Sequence, residues 1–359
     1  MSGRAFGERD GFYRRAFGED HALDLAPLLP MIAEAWAADY AGDIRMDFDA
    51  GFFARMCATP GWIAVVAFES GGRPVGFEIG IQRTLRLGRN ELHAYYVTAF
   101  SGAPQYRRQG IGRWVLEGIN ELVFIERGAD LIFSTFHLGH AGSPTVQSTY
   151  DAISDYGVCR FSTSPLYGLR LSKWKPPPHD RIRGERLVLD DAGNLRLAGT
   201  DRAAPLGLDA LAGALGETYE AAFTLDGSFG ALYLAPESKE SGGIWYEFGK
   251  DRWCWITYAF LGLAIDHTPI GRCGQVQTVA SRGLQEAELE AAMIDTLNRF
   301  ADLGCTSAIM LDQGAVPADS LARIGLAPTD TEICFSARGP ADVVRGFEDA
   351  GRPYLLDFV

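Results

Sequence analysis

The run "APQYRRQGIGRWVLEGINELV" at residues 103–123 narrows the possible folds more than any other part of this chain. A β-rich segment, "NELHAYYVTAFSG" (90–102), feeds straight into a loop holding Arg107, Arg108, Gln109, Gly110, Gly112 and Arg113. That loop opens a helix whose apolar residues Ile111, Val115, Ile119, Leu122 and Val123 recur at helical spacing towards Gly128. A strand delivered onto a helix start brings unpaired first-turn amides and the positive end of the macrodipole to one place. Such a place binds anions. Gly110 and Gly112 let a phosphate approach the main chain, and the arginines add charge-assisted bonds, so the loop suits a diphosphate. No G-K-[ST] follows, which excludes a P-loop, and the G-x-G-x-x-G dinucleotide fingerprint is absent.

Around that loop the chain divides in two. "SKWKPPPHDRIRGER" (172–186) contains three consecutive prolines, which favour an extended connector. Residues 1–172 are expected to form one domain, 173–183 a linker and 184–359 a second domain. The first domain reads as strand (10–18), helix (21–41, broken at Pro30) and helix (47–59). The β-rich runs "WIAVVAFES", "PVGFEIGIQRTLRL" and "NELHAYYVTAFSG" follow, and then the helix at 110–128. A strand "DLIFSTFHL", a helix "SPTVQSTYDAISDY" and a closing strand "SPLYGLRL" complete it. The second domain repeats the rhythm: Arg107 to Gly128 spans 21 positions, and Arg282 to Gly304 spans 22.

The pattern R-x-x-G-x-G, with Pro104 three residues before Arg107, resembles the acetyl-CoA-binding motif of the GCN5-related N-acetyltransferase (GNAT) superfamily. The order of elements over residues 12–172 is similar to that family's plan as well. The resemblance implies an α/β fold of two tandem GNAT-like domains, each a mixed, mostly antiparallel sheet flanked by helices. It implies acetyl-CoA or another acyl-CoA as cosubstrate, its pyrophosphate held by Arg107, Arg108, Gln109, Gly110, Ile111, Gly112 and Arg113. Phe100, Ser101 and Gly102 would splay from the next strand and hold pantetheine and the thioester carbonyl through main-chain groups, one N–H serving as oxyanion donor. The family usually has a small hydrophobic residue where Gly102 stands, a departure that widens the acyl slot or relaxes a bulge.

The resemblance also implies a tyrosine acid on the helix after the fifth strand, and Tyr150 is the candidate, although the family's usual offset from Gly157 falls on Ile153. The usual base positions fall near Tyr96 and Thr98, neither of which is a base, so Glu78, His93 and His137 stay open. His137 and His140 have H-x-x-H spacing without supporting carboxylates or cysteines, so no metal is expected.

In the second half, Gln285 and Ala287 replace the two glycines, and Glu286 and Glu288 crowd the phosphate position, so cofactor binding there is expected to be lost. The aromatic run "GGIWYEFGKDRWCWITYAF" (242–260) reads either as a wall over an acceptor cleft or as sheet core.

Composition bounds the partners. Net charge is −13, with 16 basic and 19 acidic side chains in residues 1–172 and 17 and 27 in the rest. Without a basic stripe such a chain is a poor ligand for nucleic acid or anionic lipid. Its acidic second half hints at a cationic acceptor. Six cysteines without a C-x-x-C pair fit reduced thiols, and no apolar leader is evident, so a cytoplasmic monomer or homodimer is expected.

Three functions follow from these readings. The first is an N-acyltransferase that moves an acetyl or other acyl group from acyl-CoA to the primary amine of a small molecule or peptide by direct attack on the thioester. The second takes a longer chain from acyl-CoA or an acyl carrier protein in a natural-product pathway. The third is a non-catalytic acyl-CoA-binding module.

Overall fold

The computed structural model describes residues 3–138, 143–153, 156–199, 204–219, 221–236, 238–249, 251–348 and 354–355. The chain opens with a hairpin of β1 (Arg4–Arg9) and β2 (Phe12–Gly18), then α1 (Leu28–Asp39), β3 (Ile44–Asp47) and α2 (Ala50–Cys57). An antiparallel meander follows: β4 (Ile63–Glu69), β5 (Pro74–Leu87) and β6 (Asn90–Gly102). Helix α3 (Ile111–Asn120) runs into a π-helical turn, and β7 (Leu131–Leu138), α4 (Ser143–Ala152) and β8 (Gly157–Leu169) come next.

The plan then recurs. A hairpin of β9 (Glu185–Leu189) and β10 (Leu195–Leu197) precedes α5 (Leu208–Thr218), β11 (Ala221–Phe223) and α6 (Gly227–Phe229). The second meander is β12 (Ser241–Gly249), β13 (Arg252–Ile265) and β14 (Thr268–Arg282). Helix α7 (Glu286–Asp302), β15 (Ser307–Leu311), α8 (Ala318–Ile324), β16 (Ala327–Gly339) and α9 (Ala341–Glu348) complete it.

Strand pairing gives the two halves one sheet. In the first half β2–β4, β4–β5 and β5–β6 are antiparallel and β6–β7 is parallel. In the second, β9–β12, β12–β13 and β13–β14 are antiparallel and β14–β15 is parallel. Each parallel pair needs a crossover, which α3 and α7 supply. At the centre the halves exchange strands. β16 pairs with β7, β8 pairs with β15, and β8 and β16 pair with each other. The edges cross too, with β3 on β13 and β11 on β5. The largest apolar core is shared in the same way: Phe133 of β7 stacks on Phe335 of β16 at 5.6 Å and meets Phe223 of β11 edge-on at 5.5 Å.

Several expected elements change. The N-terminal strand is one arm of a hairpin, because residues 4–9 pair with it. Pro30 does not break the first helix; it lies in the first turn of α1, where a missing N–H costs nothing. Strand β3 was not expected, since four residues with partners on the other half carry no local signal. Strand β8 starts at Gly157, seven residues before the expected run, because β16 and β15 cover it. Trp245, Trp253 and Trp255 are all buried, the first two stacked at 4.9 Å, so this aromatic run is sheet core. All six cysteines are free and five are buried. No helix among the described residues is long and apolar enough to cross a membrane.

Candidate active site

The site starts with a parting of strands. Strands β6 and β7 pair only from Ala94 to Val97 against Leu131 to Ser134. Beyond that point β6 stays with β5 while β7 follows β16, leaving a V-shaped opening flanked by Phe100, Ser101 and Gly102. Between the pairs Phe77–Ser101 and Ile79–Thr98, the single residue Glu78 opposes both Ala99 and Phe100. This is a β-bulge, with Ala99 at a φ of 55° in the left-handed region. The distortion therefore falls at Ala99 rather than Gly102, which pairs with Gly76 and has open space where a Cβ would stand. Ser101 is pinned, accepting a bond from Trp36 Nε1 (3.0 Å) and donating to Ala99 O (3.0 Å).

Next comes the loop. Gly110, at a φ of 76°, is the N-cap of α3, and no side chain caps that end. Arg108 also adopts a positive φ, 65°, and is exposed. Arg107 is tied to Asp39 at 2.7 Å and Arg113 to Glu117 at 2.8 Å, so neither guanidinium is uncommitted. Ile111 points into the core instead of the loop. Gly112 sits where a Cβ would come within 3.0 Å of the Phe100 ring, which joins the loop to the strand opening. Arg9 is an addition that sequence reading missed. From the β1–β2 hairpin it donates to Gln109 O at 3.4 Å, a meeting created only by the tertiary fold.

The titratable candidates divide. Glu78 and Tyr150 come together: the Tyr150 hydroxyl donates to Glu78 Oε1 at 2.6 Å, and both side chains are buried. Glu78 Oε2 is buried with no hydrogen-bond partner. Burial raises the Glu78 carboxyl to about 7, against the pull of the Tyr150 bond and the Arg338 charge. Burial first, and then the Glu78 charge, push the Tyr150 phenol well above its usual range. His137 is elsewhere. Its strand neighbour Phe136 faces Tyr150 edge-on at 5.5 Å, so alternation turns His137 to the other face, where its Nδ1 lies 3.3 Å from the Tyr40 hydroxyl. His93 pairs with Thr84, far along β6 from the opening. Among the described residues no cluster of histidine, cysteine or carboxylate could hold a metal, and His140 lies outside them.

Residues 3–142 match the model of the family described as the acetyltransferase (GNAT) domain. The leading lobe is a GNAT domain. No curated protein matches the sequence. The fold is similar to that of a crystal structure of Saccharomyces cerevisiae N-myristoyltransferase with bound myristoyl-CoA, at a TM-score of 0.66 and 12% identity over 94% of this chain and 85% of that one. A second structure of that yeast enzyme with myristoyl-CoA gives a TM-score of 0.67 at 12% identity, over 94% and 81% of the two chains.

Outside the GNAT lobe, the mirror-image helix start is closed. Gln285 is the N-cap of α7, as Gly110 is of α3, but its own N–H donates to Glu288 Oε2 at 2.9 Å in a capping box. Glu288 is held in turn by Arg252 at 2.7 Å. A carboxylate of the chain thus sits where the first lobe leaves room for an anion.

Proposed function

We propose that the protein is an N-acyltransferase that moves an acyl group from acyl-CoA to an amine of a small molecule or peptide. The GNAT match and the open amides at Gly110–Gly112 support acyl-CoA as donor. The Glu78–Tyr150 hydrogen bond carries the reading of the chemistry. In this reaction the unpartnered Glu78 Oε2 takes a proton from the attacking amine as the C–N bond forms. The C–S bond then breaks, and Tyr150 gives its proton to the departing thiolate. The protonated carboxyl then turns so that the proton taken up on Oε2 faces the Tyr150 oxygen and passes to it, so the dyad ends as it began. The bulge at Ala99 frees main chain beside the thioester for the oxyanion.

The experiment is CoA release from acyl-CoAs of increasing length with a panel of primary amines. Amine-dependent release supports the assignment. Tight CoA binding without release for any pair sinks it in favour of a binding module. Replacing Tyr150 by phenylalanine is expected to lower kcat about 10- to 100-fold with little change in KM, because the acid acts on the leaving thiolate and not in binding. Steady-state kinetics check this, and an unchanged kcat removes Tyr150 from the mechanism.

A longer acyl donor is the second reading, favoured by the open space beside Gly102. If that space is the acyl slot, Gly102→Leu shifts the preferred donor to shorter chains, measured as the ratio of kcat/KM values across the acyl series. An unshifted ratio places the acyl chain elsewhere.

A further inference from the structure

The second half of the chain also reaches the Glu78–Tyr150 pair. Arg338, on β16, is 2% exposed, and its Nε, Nη1 and Nη2 atoms are buried without a hydrogen-bond partner. Its guanidinium lies over the Tyr150 ring, 4.1 Å from the centroid. The exchanged pairing puts it there, with Arg338 opposite Ile132 of β7 and Val158 of β8. A buried guanidinium whose one close acceptor is the Tyr150 hydroxyl, at a geometry short of a full hydrogen bond, is costly unless an opposite charge answers it. Among the described residues, the carboxylate whose charge acts on Arg338 is Glu78, and the cation whose charge acts on Glu78 is Arg338.

We propose that Arg338 is a positioning residue for the acyl transfer, its charge keeping the Glu78 carboxyl able to ionise inside the apolar site. The proposal rests on Glu78 as the base of the function given above. The groups facing the carboxyl are few. Tyr150 comes from α4, Arg338 from β16, and Tyr156, just before β8, acts on Arg338. Cys334, on the same strand as Arg338, shares the small cluster around Tyr150, and burial raises its thiol and keeps it neutral. Leu116, Phe136 and Ile153 close the rest. Without Arg338 the carboxyl has one phenol and an apolar wall, surroundings that hold a buried glutamic acid protonated up to about pH 8–9. The same charge favours the phenolate that Tyr150 becomes for an instant after protonating the thiolate. A second half that has closed its own anion site would thus still supply a group the first half's chemistry needs.

The test compares pH profiles of kcat/KM for the parent, Arg338→Met and Arg338→Lys, with CoA affinity measured alongside. Loss of the charge should lower kcat/KM at pH 7 about tenfold and move the acid limb up by at least about one pH, rates approaching the parent's near pH 9. CoA affinity should stay unchanged, and Arg338→Lys should keep the parent midpoint. A lower rate with an unmoved midpoint overturns the proposal and leaves Arg338 a packing residue. Infrared titration of the Glu78 carboxyl in the parent chain, its band assigned by loss in Glu78→Gln, needs no folded Arg338 variant and no activity. A midpoint near 7 supports the coupling, and one above about 9 refutes it. Should Glu78→Gln leave the kinetic profile untouched, the base assignment fails, while the infrared midpoint still decides the coupling.

Discussion

Replacing Gly112 by glutamate is expected to weaken acyl-CoA binding at least about a hundredfold, or about 2.7 kcal/mol, while the fold survives. Two effects add. A carboxylate at the start of α3 competes with phosphate for the same amides, as Glu288 does at the start of α7. A Cβ at this position also comes within 3.0 Å of the Phe100 ring, which must shift where the strand opening meets the loop. Isothermal titration with CoA measures the loss, and circular dichroism reports the fold. Gly110→Glu should match it, with added backbone strain at a φ of 76°. Affinity within a factor of two of the parent for both variants means the diphosphate binds elsewhere, and the assigned loop is wrong.

The second large effect is expected from Glu78→Gln. Loss of the base should lower kcat/KM by about 10²–10³ and abolish the acid limb of the pH profile. In the parent that limb should rise through about pH 7, because the carboxyl must be ionised to take a proton and burial raises it to about 7. Stability runs the opposite way. The folded-state value lies above the unfolded one, so the contribution of this group is complete in acid and is lost as pH rises through about 7. Glutamine avoids that loss, so Glu78→Gln should melt a few degrees higher than the parent at pH 8 and close to it at pH 5. Scanning calorimetry at both pH values checks the sign. A variant less stable at pH 8 would mean that Glu78 is held ionised throughout, and an acid limb near pH 7 would then belong to another group.

The meander β4–β5–β6 was legible because its runs are long, β-rich and separated by glycine turns at Gly72 and Gly88, both at positive φ. Strands β5 and β6 have the bounds that the runs "PVGFEIGIQRTLRL" and "NELHAYYVTAFSG" suggest. The glycine-marked helix start was legible for the same reason, as a local pattern. Glu78 was visible as the one charge in an apolar run, but nothing local paired it with Tyr150, 72 positions away. What stayed hidden was non-local. Strands β3 and β11 have four and three residues, and each finds its partner on the opposite half. Arg338 did leave a trace, being the one cation in the β-rich run "TEICFSARG". A charge at a position that alternation buries signals a partner, although its identity depends on β16 lying beside β7.

The exchanged centre strands have a consequence for any attempt to take the molecule apart. A fragment ending in the irregular segment 174–184 would keep β8 but lose β16, leaving β7 with a bare hydrogen-bonding edge on one side. Its complement would leave β15 equally bare, so each piece alone is an aggregation hazard, and neither is a working enzyme. A protease nick in that same segment is a different matter. The two polypeptides would stay clasped through the ladders that each lends the other, and would part only under denaturant. The geometry is that of an intertwined pair of subunits joined end to end by one short tether.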